Sequence, residues 1–268
     1  MNDKLKAWPA RRRLLAAAAS LLAGNQVARA SGPPDAQKIL AASDAVRNPR
    51  QPFKVTVTLT EFEGGKQVDT NTLVTYSRLV DSTDQFASLT RFVLPARDTG
   101  KLMLRNGDDL WFFDPGTKAS IRLSPQQRLL GQAANGDVVT VNFARDYEAR
   151  LAAQETITDG ERLPRATYKL ALTATAPSAT YSVIELWVDA ENNSPIKALF
   201  YAESGRLLKT AFYRKFQRQL CASRPTETVI IDGLNTRSVT LIRFSEFAFQ
   251  NVPASWFQRE FLPRFQPE

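Results

Sequence analysis

The sequence predicts a mainly β protein, built on one strongly curved antiparallel sheet whose concave side is covered by helices. Three observations carry this. About ten or eleven apolar segments of strand length follow one another along the chain. Most are joined by short turns rich in glycine, asparagine and proline, the punctuation of a meander. Sequences with helical spacing or capping signals occur only near the start, the middle and the end.

Asp35 is a capping residue, and Ile39, Ala42 and Val46 follow at helical spacing; Asn48-Pro49 closes that segment. The stretch Phe53–Thr60 alternates cleanly, with lysine and threonine on one side and apolar residues on the other. Gly64-Gly65 makes a turn, Thr72–Val80 pairs back, and Gln85–Val93 is the next strand. Asn106-Gly107 is a strong hairpin signal because both residues accept positive φ. Asp114-Pro115-Gly116-Thr117 suits a type II turn.

Between the two turns lies Leu110-Trp111-Phe112-Phe113, apolar on both faces. A surface strand alternates, so this one needs cover on both sides. Ser124-Pro125-Gln126-Gln127 reads as a capping box opening a short helical insert, with Leu129-Leu130 at its tip and Gly131 ending it. The insert reads either as a lid or as an ordinary sheet-covering connection. A return to strand is expected after it. Asn135-Gly136-Asp137 can start a short turn or helix, and Asp146–Leu151 can add another. Strands resume at Tyr168–Ala174 and Tyr181–Val188; Ile196–Tyr201 and Leu207–Phe216 form a hairpin across Ser204-Gly205. Val239–Gln250 is the last strand, and Pro253–Phe261 reads as a terminal helix with Trp256, Phe257 and Phe261 on one side.

The N-terminal residues predict a leader. Arg11-Arg12-Arg13 precedes an apolar run of about ten residues, too short for a bilayer span of roughly twenty. Ala28-Arg29-Ala30 is a small-x-small cleavage site, so residues 1–30 are expected to be an export signal, Sec or twin-arginine, and 31–268 a single domain. Of the 35 basic and 27 acidic residues, six basic and one acidic fall in 1–30. The remainder, with 29 basic and 26 acidic residues, carries only +3, with no basic stripe of the kind that binds nucleic acid. A twin-arginine-like leader points to a bacterial periplasm for the mature chain, and a monomer is expected. The single cysteine, Cys221, allows no internal disulfide.

There is no histidine, which removes Ser-His-Asp and Cys-His catalysis and the histidine zinc motifs. No P-loop lysine follows Gly131–Asp137, and Asp108-Asp109 beside Asn106-Gly107 is turn chemistry. A carboxylate pair or a Ser-Lys dyad stays open from the sequence, although no residue set for a hydrolase is visible; neither an enzyme nor a cofactor or metal is the expectation. The positive signal is an aromatic and aliphatic surplus on segments apolar on both faces. Met103, Trp111, Phe113, Leu186, Trp187 and Phe200, with Leu129 and Leu130 from the insert, are the candidate cavity and lid residues. Strand parity allows only half of the strand residues to face one cavity.

An ordered set of residues resembles the LolA-like superfamily, in particular periplasmic outer-membrane lipoprotein-sorting proteins. Its carriers are Pro95 with Gly100-Lys101, Leu110-Trp111 with Pro115, Gly131 with Asn135 and Asp137, and Asp146-Tyr147. In the second half they are Tyr181 with Glu185–Asp189, Pro195 with Lys197, and Gly205 with Leu207-Leu208-Lys209. The resemblance implies a half-open β-barrel, closed by helices, that shelters the acyl chains of a lipoprotein or lipid during transport to or from the outer membrane. The alternative it implies is an accessory or sensor module that binds an envelope protein or an inner-membrane transporter. The N-terminal helix and residues 207–221 and 226–235 are expected to be elaborations of the fold.

Overall fold

The computed structural model describes residues 34–266, so the expected leader lies outside the described residues. The chain opens with α1 (Ala36–Arg47), capped by Asp35, whose carboxylate accepts the N–H groups of Gln37 and Lys38. The strands β1 (Phe53–Glu63), β2 (Lys66–Val80), β3 (Gln85–Leu94), β4 (Leu102–Asn106), β5 (Asp109–Asp114) and β6 (Ala119–Arg122) form an antiparallel meander. Then come β7 (Arg128–Leu130), β8 (Ala133–Ala134) and the short helix α2 (Phe143–Asp146). A second meander follows: β9 (Tyr147–Thr158), β10 (Pro164–Ala174), β11 (Val183–Asp189), β12 (Pro195–Tyr201), β13 (Leu207–Gln219), β14 (Ala222–Asp232) and β15 (Ser238–Phe249).

Thirteen of these strands make one curved sheet in the order β6-β5-β4-β3-β2-β1-β15-β14-β13-β12-β11-β10-β9. The sheet is not closed into a barrel; β6 and β9 are its edges. The first and last strands pair at its centre, with Phe53 opposite Phe249 and Val57 opposite Phe244. β13 and β14, expected as elaborations, are therefore central strands. They are joined by Leu220-Cys221, both at positive φ without a glycine, and Cys221 is exposed.

Period-two alternation gives the sheet two apolar faces. On the concave face, Val55, Val57 and Leu59 of β1 pack with Leu73, Phe86, Met103, Leu186, Phe200 and Ile242, and with Ile39 and Leu40 of α1. On the other face of β2–β5, Tyr76, Leu89, Leu102, Leu104 and Phe113 are covered by the C-terminal segment. That segment, expected as one helix, is two 3-10 helices, Ala254–Phe257 and Arg259–Arg264, and its Trp256, Phe257 and Leu262 are buried. Trp256 meets Tyr76 edge-on at 5.4 Å. Among the described residues no helix is long and apolar enough to cross a membrane.

Several local expectations are overturned. The turn at 114–117 is not type II, because its positive φ falls at Lys118 and not at Gly116. The Ser124–Gly131 insert is no helix but a turn leading into the β7–β8 hairpin. The Ser124 hydroxyl does accept the Gln126 N–H at 3.3 Å. However, the carbonyls of Pro125 and Gln127 accept N–H groups of Gly136 and Asn135, both at 2.9 Å, so the returning chain takes the bonds a helix would use. Gly131 sits at φ +53 between β7 and β8, where an added Cβ would meet the Thr240 hydroxyl at 2.3 Å. Asp146–Leu151 is not a helix either, because β9 begins at Tyr147 and pairs with β10 along its whole length. Residues Val138–Asn142 do not return to strand; they cross the concave face as an irregular segment tied down by side chains.

Candidate functional site

The concave face holds an apolar cavity of about 140 Å³. The alternation of β1 places Phe53, Val55 and Val57 on its wall, and across the central seam β15 adds Ile242 and Phe244. Ala211 and Tyr213 of β13, Ile230 of β14 and Phe200 of β12 continue the wall. Residues 136–141 and Phe143 line it as a cover, and Arg47, Asn48, Thr180, Tyr181, Lys209, Pro225, Thr228 and Phe247 complete the lining.

Polar contacts hold the cover on both flanks. Toward α1, the Val141 carbonyl accepts from Asn48 Nδ2 at 2.8 Å and Arg47 Nη2 at 3.3 Å. The Ala144 N–H donates to Asp44 Oδ2 at 2.7 Å. Arg47 pairs with Asp44, and its guanidinium lies 4.0 Å from the centre of the Phe143 ring. Burial pushes the Asp44 carboxyl up, against the pull of Arg47. Toward β2 and β3, the hydroxyls of Thr140 and Ser77 meet at 2.6 Å, and the Asn142 N–H donates to Gln85 Oε1 at 2.8 Å. The Thr140 N–H reaches the Ser88 hydroxyl at 3.3 Å. These bonds explain why buried Ser77, Ser88 and Gln85 interrupt an otherwise apolar face. Each contributes only about 1 kcal/mol net, so the cover is fixed by several modest contacts.

At one end of the cavity Lys209 is buried against Asp137. The same carboxylate accepts the Tyr181 hydroxyl at 2.9 Å and the Ala134 N–H at 2.7 Å. The Lys209 ammonium also lies 4.7 Å from the Tyr181 ring centre and 5.2 Å from that of Phe200. Burial lowers the Lys209 pKa while Asp137 raises it, and burial holds the Tyr181 phenol well above its ordinary range. A second buried pair, Arg105 with Asp146 at 3.3 Å, ties β4 to α2; Asp146 is pushed up by burial.

Of the eight residues singled out by sequence, five reach the concave-face core: Met103, Leu129, Leu130, Leu186 and Phe200. Only Phe200 lines the cavity. Leu129 and Leu130 belong to β7 or its packing, not to a helical tip. Trp111 and Phe113 lie on the other face, under the C-terminal segment, where Arg259 covers the Trp111 ring at 4.5 Å. Trp187 also points away from the cavity; its indole N–H donates to Glu155 Oε1 at 2.7 Å, and Lys169 and Lys197 flank its ring. The cover residues Val138, Val139 and Val141 and the latch residues Asp44, Arg47 and Asn48 were not singled out. The run Val138-Val139-Thr140-Val141 was the visible signal, but it reads as a strand.

Among solved structures, a LolA superfamily protein from Nitrosomonas europaea is 34% identical, with a TM-score of 0.76 over 85% of this chain and 100% of that one. The chain belongs to the LolA superfamily. An outer membrane lipoprotein-sorting protein domain from Vibrio parahaemolyticus shares the fold of this LolA-like chain at 20% identity and a TM-score of 0.70, covering 85% and 98% of the two chains. So does a DUF1329 family protein from Desulfovibrio piger, at 20% identity and a TM-score of 0.71, covering 84% and 97%. A family model described as an uncharacterized protein matches residues 84–264. Comparison with curated proteins gave no match.

Proposed function

We propose that this LolA superfamily protein is a periplasmic carrier that binds rather than catalyses, sheltering an acyl chain of a lipoprotein or lipid on its way to or from the outer membrane. The observation that carries the reading is the apolar cavity beneath a cover held by separable polar contacts. The family supports it, since a relative of the same fold is described as an outer membrane lipoprotein-sorting domain.

The physical need is clear. Each methylene exposed to water costs about 0.8 kcal/mol, so a chain of about fourteen carbons costs on the order of 10 kcal/mol to carry unshielded. The cavity as described matches in size the engineered ~150 Å³ cavity that takes up benzene, a six-carbon ligand. A longer chain therefore requires residues 136–143 to shift, and the hydrogen bonds to Asn48, Asp44 and Ser77 are the ones to be exchanged.

The test is mass spectrometry of material extracted from the full chain purified without detergent, paired with uptake of a fluorescent fatty acid. Acyl-chain material near one per protein, lost in an Ala211→Trp variant that fills the cavity yet unfolds at an unchanged temperature, is expected. Protein that is empty and stays empty when offered the probe overturns the reading; recovery of a stable envelope-protein partner from such protein would favour an accessory or sensor module instead.

A further inference from the structure

A second pocket, of about 260 Å³, lies beside the apolar cavity and has a different character. Gln126, Arg128 and Gln132 of the β7–β8 region line one part of it; Arg206, Lys209 and Asp232 of β13, β14 and their approaches line another. Tyr181 and Lys209 line both pockets, so these two side chains are the partition between an apolar chamber and a polar one.

The charge inside the polar chamber is unbalanced. One carboxylate lines it, and that group is held by backbone: Asp232 Oδ1 accepts the N–H groups of Leu234 and Asn235 at 2.7 Å each. Asp137, behind the partition, accepts from Ala134, Tyr181 and Lys209. The arginines are not so engaged. Among the described residues Arg206 makes no ion pair, and Arg128 meets only the neutral side-chain amide of Gln132, at 3.4 Å. Counting Lys209 with Asp137, and Asp232 against one arginine, leaves one cation in excess, and guanidinium groups bind phosphate or carboxylate with paired, charge-assisted hydrogen bonds.

We propose that the ligand is a single-chain amphiphile with an anionic head group, its alkyl chain in the apolar cavity and its phosphate or carboxylate in the polar pocket between Arg128 and Arg206. The inference rests on the carrier reading and specifies its cargo. With the cover in place the apolar volume is small even for one chain, so a single chain asks for the lesser shift of residues 136–143 and is favoured over two. The Lys209 ammonium, at the junction, faces the first polar atoms of the head, while the Tyr181 ring faces the first methylenes.

Calorimetric titration of the full chain with dodecyl phosphate, dodecyl maltoside, dodecyltrimethylammonium and inorganic phosphate tests this, each amphiphile kept below its micellar concentration. Dodecyl phosphate is expected to bind at least about tenfold more tightly than dodecyl maltoside, equivalent to ~1.4 kcal/mol. That preference is expected to collapse in an Arg128→Gln/Arg206→Gln variant, whose exposed substitutions leave the core intact. Equal affinity for all three amphiphiles, or a preference that survives the double substitution, overturns the head-group site and leaves the carrier reading standing. Failure of every amphiphile to bind removes both. Inorganic phosphate binding as tightly as dodecyl phosphate identifies a free-anion site and also overturns the proposal.

Discussion

Lys209 and Asp137, separated by 72 positions in the chain, form a buried ion pair that fastens β13 to the start of the cavity cover. Removing one partner of such a pair costs about 3–5 kcal/mol, because the other charge is left without compensation. The two removals are not equivalent here. Asp137 keeps the Tyr181 hydroxyl and the Ala134 N–H when Lys209 is replaced, whereas Lys209 keeps one hydrogen-bond acceptor, the Gln132 carbonyl at 3.3 Å, and the faces of the Tyr181 and Phe200 rings. Asp137→Ala is therefore expected to destabilise more than Lys209→Met, and the double variant less than the sum. Urea unfolding of the four proteins in a double-mutant cycle measures the coupling; strict additivity would contradict the pairing.

Alkaline pH should expose the buried phenols. Burial holds Tyr147 and Tyr181 above the ordinary tyrosine value of 10.0, and pushes Tyr213 up to about 12. Above pH 10 the folded chain keeps protons that the unfolded chain has released, so stability falls with rising pH, and the share of Tyr213 is gone beyond about 12. Lys209 runs the other way. Its pKa is lowered from 10.5, so it makes stability rise with pH only below that value. Tyr213→Phe is expected to flatten the decline above pH 10 by up to about 1.4 kcal/mol per pH unit. Unfolding midpoints at closely spaced pH values would reveal an unchanged slope if the phenol were solvated.

On the carrier reading, the α1 latch sets how readily the cover opens. Asp44→Ala removes the acceptor of the Ala144 N–H and the partner of Arg47. Exchange of the Ala144 amide with deuterated solvent is expected to accelerate at least about tenfold, with slower amides in β1 and β2 nearly unaffected. Equal acceleration throughout would mean global destabilisation rather than an opened cover.

Phe113 separates stability from binding. It is buried against the C-terminal turns, on the face opposite the cavity. Phe113→Ala should cost about 3–5 kcal/mol in unfolding free energy, as large-to-small core changes do. Uptake of a fluorescent fatty acid per folded molecule should stay unchanged. A selective loss of uptake would place the ligand on the wrong side of the sheet for the cavity described here.

Signals confined to a few neighbouring residues were legible in the sequence. Asp35 announced α1, Asn106-Gly107 its hairpin, and the alternation after Phe53 the buried side of β1. β9 was not, because Glu-Ala-Arg-Leu-Ala-Ala favours helix and only pairing to β10 overrides that preference. The Ser124 capping signal failed for a similar reason: the returning chain at Asn135 and Gly136 claims the local carbonyls. At the site, Phe200 could be chosen for its bulk, but nothing near Trp111 or Phe113 says which face of the sheet is concave. That depends on where residues 254–264 dock, some 140 positions later. The Lys209–Asp137 and Asp44–Ala144 contacts are likewise long-range, and no local pattern encodes them.

The seam between β1 and β15 has a consequence for the order of events in the life of the chain. Each meander can assemble from neighbours as it becomes available, but the seam joins residues as distant as Phe53 and Phe249. The chamber straddles that seam, with Val55 and Val57 on one side and Ile242 and Phe244 on the other. Until the final strand is in place, one wall of the cavity is missing. An incomplete chain thus lacks the chamber in which the ligand is proposed to sit, and that chamber waits on the last strand.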